Sequence, residues 1–586
     1  MAVNPDGTPL LPYQLRLDRG RKLRRRKMLS WAVALAVLAG TGVIAEIGRP
    51  PAGSSIPVAA ATTSTTFASL GESTIQITPS NTVAGAVPGV SGGPPETSAA
   101  IIAENALPGT TGWKITDPSK NHQIEGYANQ VSIDPGQPVT LYVSTTAPSY
   151  HVEVFRMGWY GGLGARLVDR TPEMPGMGQS APTFTPGINM VETRWTPSVV
   201  LATDNWPPGD YLFRLVASSG PQSYIPLTVR DDASTAAYAI INAVTTWQAY
   251  NLWGGYDLYE GKNGAYATRS RVVSFDRPYS VSNGAADFLG LEYPLVSLVE
   301  SLGLDVTYLT DVDLQRQPDP LLAHKAVISL GHDEYYSLLM RQNMTDARDH
   351  GVNLAFLGAN AIYRHIRFAS SPLGADRHEI CYKDAQEDPL YGKDNADVTV
   401  DWRDPPTNDP ESQLIGDFYQ CNPVEADMVV VDPKSWLFAG TNAAVGQKLP
   451  GVVSSEYDRY DPGVPSPPDV EILTHSPLVC RGQHDYADAI YYTAPSGAGV
   501  FASGAIAFVG NINLHCEPAG CNGQILGRLV ENLLAVFGQG PAGLVHPSDP
   551  AESSVVAKPP IVASYGGAES SAAAVGGSGQ SENAGP

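Results

Sequence analysis

Apolar stretches as long as single strands alternate with helical stretches through the middle of the chain, and this alternation constrains the fold most. Strands that are apolar along their whole length are buried on both faces, which is typical of a parallel sheet between layers of helices. The sequence therefore predicts a doubly wound α/β domain over residues 236–540, with working residues in loops after the carboxyl ends of strands. The predicted strands cover residues 238–243, 305–309, 325–330 and 352–357, and the predicted helices cover 285–302 and 337–348.

Residues 106–232 have a different pattern, because short alternating runs recur there with turn signals between them. Examples are the runs 139–143, 151–156 and 211–215 and the turn at 134–136. Alternation with a period of two indicates strands with one buried face. We expect an immunoglobulin-like β-sandwich of seven to nine strands, which serves as a structural or binding module and not as a catalyst.

The amino terminus has the pattern of an exported protein. Residues 1–27 carry eight basic and two acidic residues, and the nearly uncharged segment 28–48 follows. About 18 apolar residues cross most of a ~30 Å hydrocarbon layer, and flanking positive charge stays in the cytoplasm. We expect a single-pass anchor in the cell membrane with the folded body outside the cytoplasm. Cleavage after the small residues 43–45 would release a secreted protein instead, and the sequence leaves this open.

Two further segments are predicted to lack a core. Residues 49–105 and 541–586 are rich in Ala, Ser, Thr, Gly and Pro. Such composition is typical of a flexible linker and a disordered tail.

The net charge restricts the possible binding partners of the protein, and the cysteines indicate the redox state of its compartment. The whole chain carries −22, so the part after residue 27 carries −28, and phosphate repulsion excludes nucleic acid as a partner. Some of the five cysteines should pair in an oxidising compartment. We expect Cys516–Cys521 and Cys381–Cys421 as pairs, and an odd count leaves one thiol over.

One strand end carries five consecutive side chains that are suited to chemistry. The strand predicted at 325–330 is followed by Gly331 and then by His332, Asp333, Glu334, Tyr335 and Tyr336. Neither Cys nor Ser occupies the turn, which argues against a covalent nucleophile. Metal binding or acid–base chemistry fits these side chains. The alternative is that the two acidic residues only cap the next helix.

Two other strand ends add candidates for a binding pocket. Trp247, Tyr250 and Trp253 follow the strand at 238–243 and would make an aromatic pocket wall, although ordinary packing explains them equally well. Asn360 follows the strand at 352–357.

Several of these stretches resemble the large (beta) subunit family of N,N-dimethylformamidase. The resemblance implies a glutamine amidotransferase-like α/β fold without the thiol. It also implies hydrolysis of an amide C–N bond at a mononuclear iron that is held by two tyrosines and one glutamate. The stretches that carry the resemblance are 247–255, 292–295, 331–336, 358–360 and 402–416.

The resemblance also assigns roles to individual residues. Tyr335 matches the second tyrosine because it follows the His-x-Glu part of the turn. The spacing of ligands in the family implies Tyr293 and Glu411 as the other two ligands, with Glu456 as the alternative carboxylate. Phenolate is a hard anionic donor that a strong Lewis acid such as iron(III) can deprotonate. The bound iron would polarise an amide carbonyl. His332 or Glu334 would guide the water, and Asn360 would orient the substrate.

The chain also departs from the family's pattern. The family's enzyme works with a small second subunit, for which we identify no segment here. Export suggests either a small amide or a cell-envelope glycan as the substrate, and the oligomeric state stays open. Two alternative functions remain: a non-catalytic protein that binds envelope polysaccharide through the aromatic wall, and a glycan hydrolase that pairs Glu334 with Glu411 across ~5–9.5 Å.

Overall fold

The computed structural model describes residues 94–317, 319–513 and 521–550, which belong to one compact unit. The basic leader 1–27 and the apolar segment 28–48 lie outside these residues. No helix in the described part of the chain is long and apolar enough to cross a membrane. The predicted anchor therefore stays a prediction.

The ends of the predicted linker and tail are folded. Helix α1 (Ala99–Asn105) lies inside the predicted linker; Ile101 is buried, and Asn105 Nδ2 donates to Glu300 Oε2 at 2.8 Å. At the other end Ala542 is fully buried, and the backbone oxygen of His546 accepts a hydrogen bond from Tyr491. The linker and tail predictions are wrong at these two ends, because scattered apolar and amide side chains there find partners that composition alone does not reveal.

Residues 124–229 form eleven strands, and the helical structure among them is limited to one short turn. The strands are β1 (Ile124–Ala128), β2 (Ser132–Ile133), β3 (Val139–Thr145), β4 (Ser149–Met157), β5 (Ala165–Arg170), β6 (Met174–Pro175), β7 (Thr183–Thr185), β8 (Met190–Glu192), β9 (Val199–Leu201), β10 (Gly209–Ala217) and β11 (Gln222–Val229).

These strands form two main sheets that face one core. One sheet has the order β1-β3-β9, and the other has the order β2-β11-β10-β4-β5, with β6 paired to β4. Leu141 and Val143 from the first sheet and Val154 and Phe213 from the second belong to the same buried cluster. The two main sheets contain nine strands, as the sequence predicts. The immunoglobulin-like topology stays a prediction.

Strands and helices alternate after residue 237. The elements are β12 (Tyr238–Asn242), α2 (Val244–Ala249), β13 (Val272–Ser274), α3 (Tyr293–Ser301), β14 (Val306–Thr310), β15 (Ala326–Gly331), β16 (Tyr335–Ser337), α4 (Leu338–Asp349), β17 (Asn353–Gly358), β18 (Arg364–Ser371), β19 (Gly374–Ile380), α5 (Ser412–Ile415), β20 (Phe418–Val429), β21 (Lys448–Arg459), β22 (Glu471–Cys480), β23 (Gln483–Thr493), β24 (Gly499–Ala502) and α6 (Asn522–Phe537).

A seven-stranded sheet with the order β14-β12-β15-β17-β24-β23-β22 forms the centre of this part. The first five strands are parallel, and β23 and β22 add an antiparallel edge. Side chains of α3 and α6 share a core with one face, and Met340 and Met344 of α4 pack on the other. Both faces are thus covered by helices, as the apolar strands predict. The comparison with a glutamine amidotransferase-like fold stays a prediction.

The sandwich and the α/β part also share a core. Phe155 and Leu212 of the sandwich belong to the same buried cluster as Leu295 and Val299 of α3. Arg156 and Glu300 form a fully buried ion pair across this contact, with Nη2 and Oε1 2.6 Å apart. The outer face of one sandwich sheet is therefore fixed against α3.

Two glycines allow neighbouring strand ends to approach each other. Gly331 has φ +62°, and a Cβ there would lie 2.7 Å from Leu291 Cβ. A Cβ on Gly358, opposite Gly331 in the parallel register, would collide with the Gly331 carbonyl oxygen. Only glycine tolerates this conformation and this proximity. The turn that begins at Gly331 carries the candidate site residues.

Candidate functional site

The carboxyl ends of β12, β15 and β17 lie side by side, and polar side chains follow each strand. Tyr250 caps the end of α2, directly after β12. His332 and Glu334 follow β15, and Asn360 follows β17 in the left-handed conformation that asparagine tolerates, with φ +57°. The edge of the sheet therefore gathers side chains that lie more than 100 residues apart in the sequence.

Glu334 accepts hydrogen bonds from two tyrosines at the centre of this group. Tyr250 Oη lies 2.8 Å from Glu334 Oε2, and Tyr259 Oη lies 3.0 Å from Glu334 Oε1. The two phenol oxygens are 2.7 Å apart, and their rings are stacked with centroids 4.5 Å apart. Two phenols and one carboxylate thus converge on a common point.

A third tyrosine and two cations complete this cluster. Tyr335 is fully buried, and its Oη lies 2.7 Å from Tyr259 Oη. Lys383 Nζ donates to Tyr335 Oη at 2.9 Å, and Arg364 Nε donates to Glu334 Oε1 at 3.3 Å. These positive charges favour negative charge on the oxygens around them.

An imidazole ring lies beside these oxygens. His332 Nε2 lies 3.2 Å from Glu334 Oε2 and 3.7 Å from Glu456 Oε2. Asn360 Nδ2 donates to Glu456 Oε2 at 2.7 Å, and its backbone N–H donates to Asp458 at 2.8 Å. His332, Tyr250 and Tyr259 are only partly buried, so solvent reaches this side of the cluster.

Burial sets the protonation of the phenols. It raises the pKa of Tyr250, Tyr259 and Tyr335 well above the usual range, and the Glu334 charge raises each pKa further. All three phenols are therefore protonated donors at neutral pH unless a bound cation displaces their protons.

The charged groups influence one another strongly. Burial acts to raise the pKa of Glu334, but the His332 hydrogen bond and charge, with Lys383 and Arg364, lower it to about 2. Burial acts to lower the pKa of His332, but Glu456 and Glu334 raise it to about 9. Burial also raises the pKa of Glu456. Such opposed shifts among neighbouring groups are typical of functional sites.

Two of the three expected metal ligands lie elsewhere. Tyr293 Oη donates to the backbone oxygens of Gly158 and Gly164 in the sandwich, both at 3.2 Å. Glu411 is buried and forms an ion pair with Arg403. Neither shares a described contact with Tyr335, so the structure does not assemble the expected set of Tyr293, Tyr335 and Glu411. The set rests on spacing along the chain, which does not report distance across the fold. The described contacts of Glu411 also do not include Glu334, its partner in the expected carboxylate pair.

The expected aromatic wall is also divided. Trp247 Nε1 donates to Glu292, and Trp253 Nε1 donates to Glu125 of the sandwich. Both indoles are buried, in different clusters. Of the three aromatic residues, only Tyr250 contacts Glu334.

The structure adds Arg364, Tyr259, Lys383 and Glu456 to the expected site, and Arg364 begins β18. Tyr259 lies in the long connection after β12, nine residues beyond Tyr250, where extending the strand-end rule along the loop would find it. Lys383 follows β19, which belongs to a separate four-stranded sheet, and no local pattern marks it. Glu456 lies on β21, and the sequence offered it only as an alternative ligand.

Tyr250, Tyr259 and Glu334 fit an iron site by the chemistry of their donors. All three offer hard oxygen atoms. The distance from Tyr250 Oη to Tyr259 Oη is 2.7 Å, and these two atoms lie 2.8 and 3.0 Å from oxygens of Glu334. Two phenolates and one carboxylate would offset the charge of iron(III). The composition is the one that the family resemblance implies, with different residues from those that spacing suggests.

A disulfide lies next to this site. Cys421 and Cys480 are bonded, and the Nδ2 of the adjacent Asn422 donates to Glu456 Oε1 at 3.0 Å. Cys381 is buried and free, so the expected Cys381–Cys421 pair is wrong. The true partners meet because Cys480 ends β22, which packs against β20. Cys521 is also disulfide-bonded. The expected Cys516–Cys521 pair stays a prediction, because Cys516 lies outside the described residues.

Comparison with known proteins gives one family match. A family model described as "N,N-dimethylformamidase beta subunit-like, C-terminal" matches residues 151–521, which is more than half of the chain. This match begins in β4 and includes every residue of the cluster around Glu334. It confirms the resemblance seen in the sequence.

The other comparisons add little. No curated protein matches the chain. A solved structure of a Paenibacillus sp. cycloisomaltooligosaccharide glucanotransferase, complexed with cycloisomaltoheptaose, is 13% identical with a TM-score of 0.13. The similarity covers 23% of this chain and 18% of that one. A likeness of this extent supports no inference about fold or function.

Proposed function

We propose that this chain, which belongs to the N,N-dimethylformamidase beta subunit-like family, is an iron-dependent hydrolase of amide C–N bonds. The observation that carries the proposal is the convergence of Tyr250 and Tyr259 on Glu334. Glu334 is a buried carboxylate, and removing such a charge from water is costly unless partners compensate for it. A metal site explains why three oxygen donors from two strand ends meet there.

Tyr250, Tyr259 and Glu334 are the residues that would hold the iron. When bound, the ion supplies Lewis acidity that polarises the carbonyl group of an amide. Lys383 Nζ lies 3.0 Å from the centroid of the Tyr259 ring, and Arg364 Nε donates to Glu334 Oε1. Both positive charges would favour the ionised forms of these two ligands. His332 is on the partly exposed side, where a substrate could enter.

The neighbouring side chains are suited to move the protons of amide hydrolysis. Glu456 is positioned to accept a proton from a water molecule that attacks the carbonyl carbon. His332 Nε2 lies between Glu456 and Glu334 and can give a proton to the leaving nitrogen as the C–N bond breaks. Asn360 holds Glu456 through its amide and can orient the attacking water or the substrate.

Amine release from a panel of small amides tests this assignment. We expect His332→Gln and Glu456→Gln in the iron-loaded full chain to lose about 10²–10⁴-fold in kcat/KM, since general acid–base groups contribute that much. His122→Gln serves as the control, because His122 pairs with Glu125 at the surface, outside the site. Full activity in both site variants would reject the proposed roles.

The location of the protein is part of the proposal. The basic leader and apolar segment at the amino terminus support a body outside the cytoplasm, held to the cell membrane or secreted. The Cys421–Cys480 disulfide supports an oxidising compartment. Protease added to intact cells should then digest the folded body, and complete protection until lysis would argue against this location. The substrate would be a small amide or an amide-bearing envelope glycan.

A further inference from the structure

A second group of metal-ligand side chains lies where the sandwich meets the α/β part. Glu192 ends β8, Asp276 follows β13, and His378 lies on β19. One ligand atom of each lies within 4.8 Å of the ligand atoms of the other two. None of these residues belongs to the cluster around Glu334.

The hydrogen bonds of these residues use only one oxygen of each carboxylate. His378 Nε2 lies 2.9 Å from Glu192 Oε2, and Arg377 Nε donates to Asp276 Oδ1 at 2.8 Å. The second oxygen of each carboxylate makes no hydrogen bond among the described residues. Glu192 and Asp276 are 6% and 2% exposed, and the His378 side chain is 15% exposed. Two buried carboxylates thus lie close together, and the Arg377 guanidinium bonds to one of them.

We propose that Glu192, Asp276 and His378 bind a divalent transition-metal ion of the zinc class. One imidazole nitrogen and two carboxylate oxygens are a donor set that Zn²⁺ accepts, and three protein ligands leave a fourth position for water. His378 is partly exposed, so an ion and its water can enter from solvent. Arg377 stays bound to Asp276 Oδ1, while the other oxygen of that carboxylate faces the ion.

The ion would connect two parts of the chain. Glu192 comes from the strand pair β7-β8. His378 lies on β19 of the sheet β13-β19-β18-β16, and Asp276 follows β13 of the same sheet. An ion that binds only the folded chain stabilises it by mass action. The zinc site would therefore fix the β7-β8 ribbon against the sheet that also carries Tyr335.

Zinc binding to the metal-stripped full chain tests this assignment. We expect one tight zinc equivalent to disappear in His378→Gln and in Glu192→Gln, together with a zinc-dependent rise of the unfolding temperature. His475→Gln is the matched control, because His475 is similarly buried and bonds one carboxylate, Asp488, at 2.6 Å. Any zinc bound at the Glu334 cluster is common to all these variants. Unchanged zinc stoichiometry in both site variants would overturn the proposal.

Anomalous diffraction gives a result that does not depend on how the variants fold. Crystals of the wild-type chain with added zinc should show a peak about 2.0–2.2 Å from His378 Nε2 and from oxygens of Glu192 and Asp276. Zinc peaks elsewhere, with none among these three residues, would also overturn the proposal. Neither experiment depends on the proposed hydrolase activity.

Discussion

Tyr259 Oη lies 3.0 Å from Glu334 Oε1, although the two residues are 75 positions apart and lie on different connections of the sheet. The same oxygen lies 2.7 Å from Tyr250 Oη. This convergence arises because β12 and β15 are neighbours and end at the same edge of the sheet. It brings two phenols and one carboxylate together from connections that are distant in the sequence.

Gly331 should be required at the turn before His332. We expect Gly331→Ala to destabilise the chain by ~2–4 kcal/mol, because its φ is +62° and the new Cβ would lie 2.7 Å from Leu291 Cβ. Gly482→Ala is the control, since Gly482 has φ +83° but nothing within 4 Å of a Cβ. Urea unfolding of both variants measures the difference. Equal losses would show that the backbone conformation alone matters and that the close packing does not.

Asn360 should matter for activity more than for stability. Asn360→Gly keeps the left-handed backbone, at φ +57°, but removes the amide that donates to Glu456. We expect a loss of about 10–100-fold in kcat/KM, which is usual when a group that orients a functional side chain is removed. The unfolding free energy should fall by only ~1 kcal/mol. Unchanged kcat/KM would remove Asn360 from the site.

The Cys421–Cys480 disulfide should support both the fold and the site. It closes a loop with a sequence separation of 59 residues, and chain entropy predicts a loss of ~4 kcal/mol when both cysteines are replaced by serine. Activity should also fall, because Asn422 bonds Glu456 beside the disulfide. Cys381→Ser is the control, since Cys381 is a free thiol. Thermal unfolding and amine release measure the two effects, and a double variant with wild-type values of both would contradict this role.

Asp210 should give the stability a specific pH dependence. Burial raises its pKa to about 7, against hydrogen bonds from Thr228 and Asn242 that lower it. The folded chain keeps this proton, whereas the unfolded chain releases it near pH ~3.9. Its contribution is therefore complete below pH ~4, and up to ~4 kcal/mol is lost as the pH rises to about 7.

Asp210→Asn removes this titration and should flatten the decline between pH 4 and pH 7. The measurement is the free energy of unfolding in urea at several pH values, for the wild-type chain and the variant. The difference between the two curves should change steadily across that window and then stay constant. Parallel curves from pH 4 to pH 8 would contradict the raised pKa.

The sequence predicts the central sheet well, because burial on both faces leaves a local signal. The strand expected at 352–357 is β17 (Asn353–Gly358), and the helix expected at 337–348 is α4 (Leu338–Asp349) with Ser337 as its cap. The helix expected at 285–302 begins later, since Phe288–Glu292 is a π-helical turn and α3 starts at Tyr293. The apolar pattern does not distinguish this wider turn from an α-helical one.

The site is only partly readable from the sequence, and the reason is geometric. His332, Glu334 and Asn360 follow strand ends, so the strand pattern locates them. Tyr259 and Lys383 lie in long connections whose paths depend on tertiary packing, and no periodicity records such paths. Tyr293 matches the family's spacing along the chain, yet its hydroxyl donates to the backbone of the sandwich.

Iron content is the most direct test of the central claim. The wild-type full chain, loaded with iron(III), should bind one iron in the Glu334 cluster and show a visible absorption band from tyrosinate-to-iron charge transfer. Tyr259→Phe and Glu334→Gln should lose the iron and the band, whereas Tyr293→Phe should keep both. Loss in Tyr293→Phe with retention in Tyr259→Phe would contradict the account, as would a wild-type chain that stays colourless and iron-free after loading.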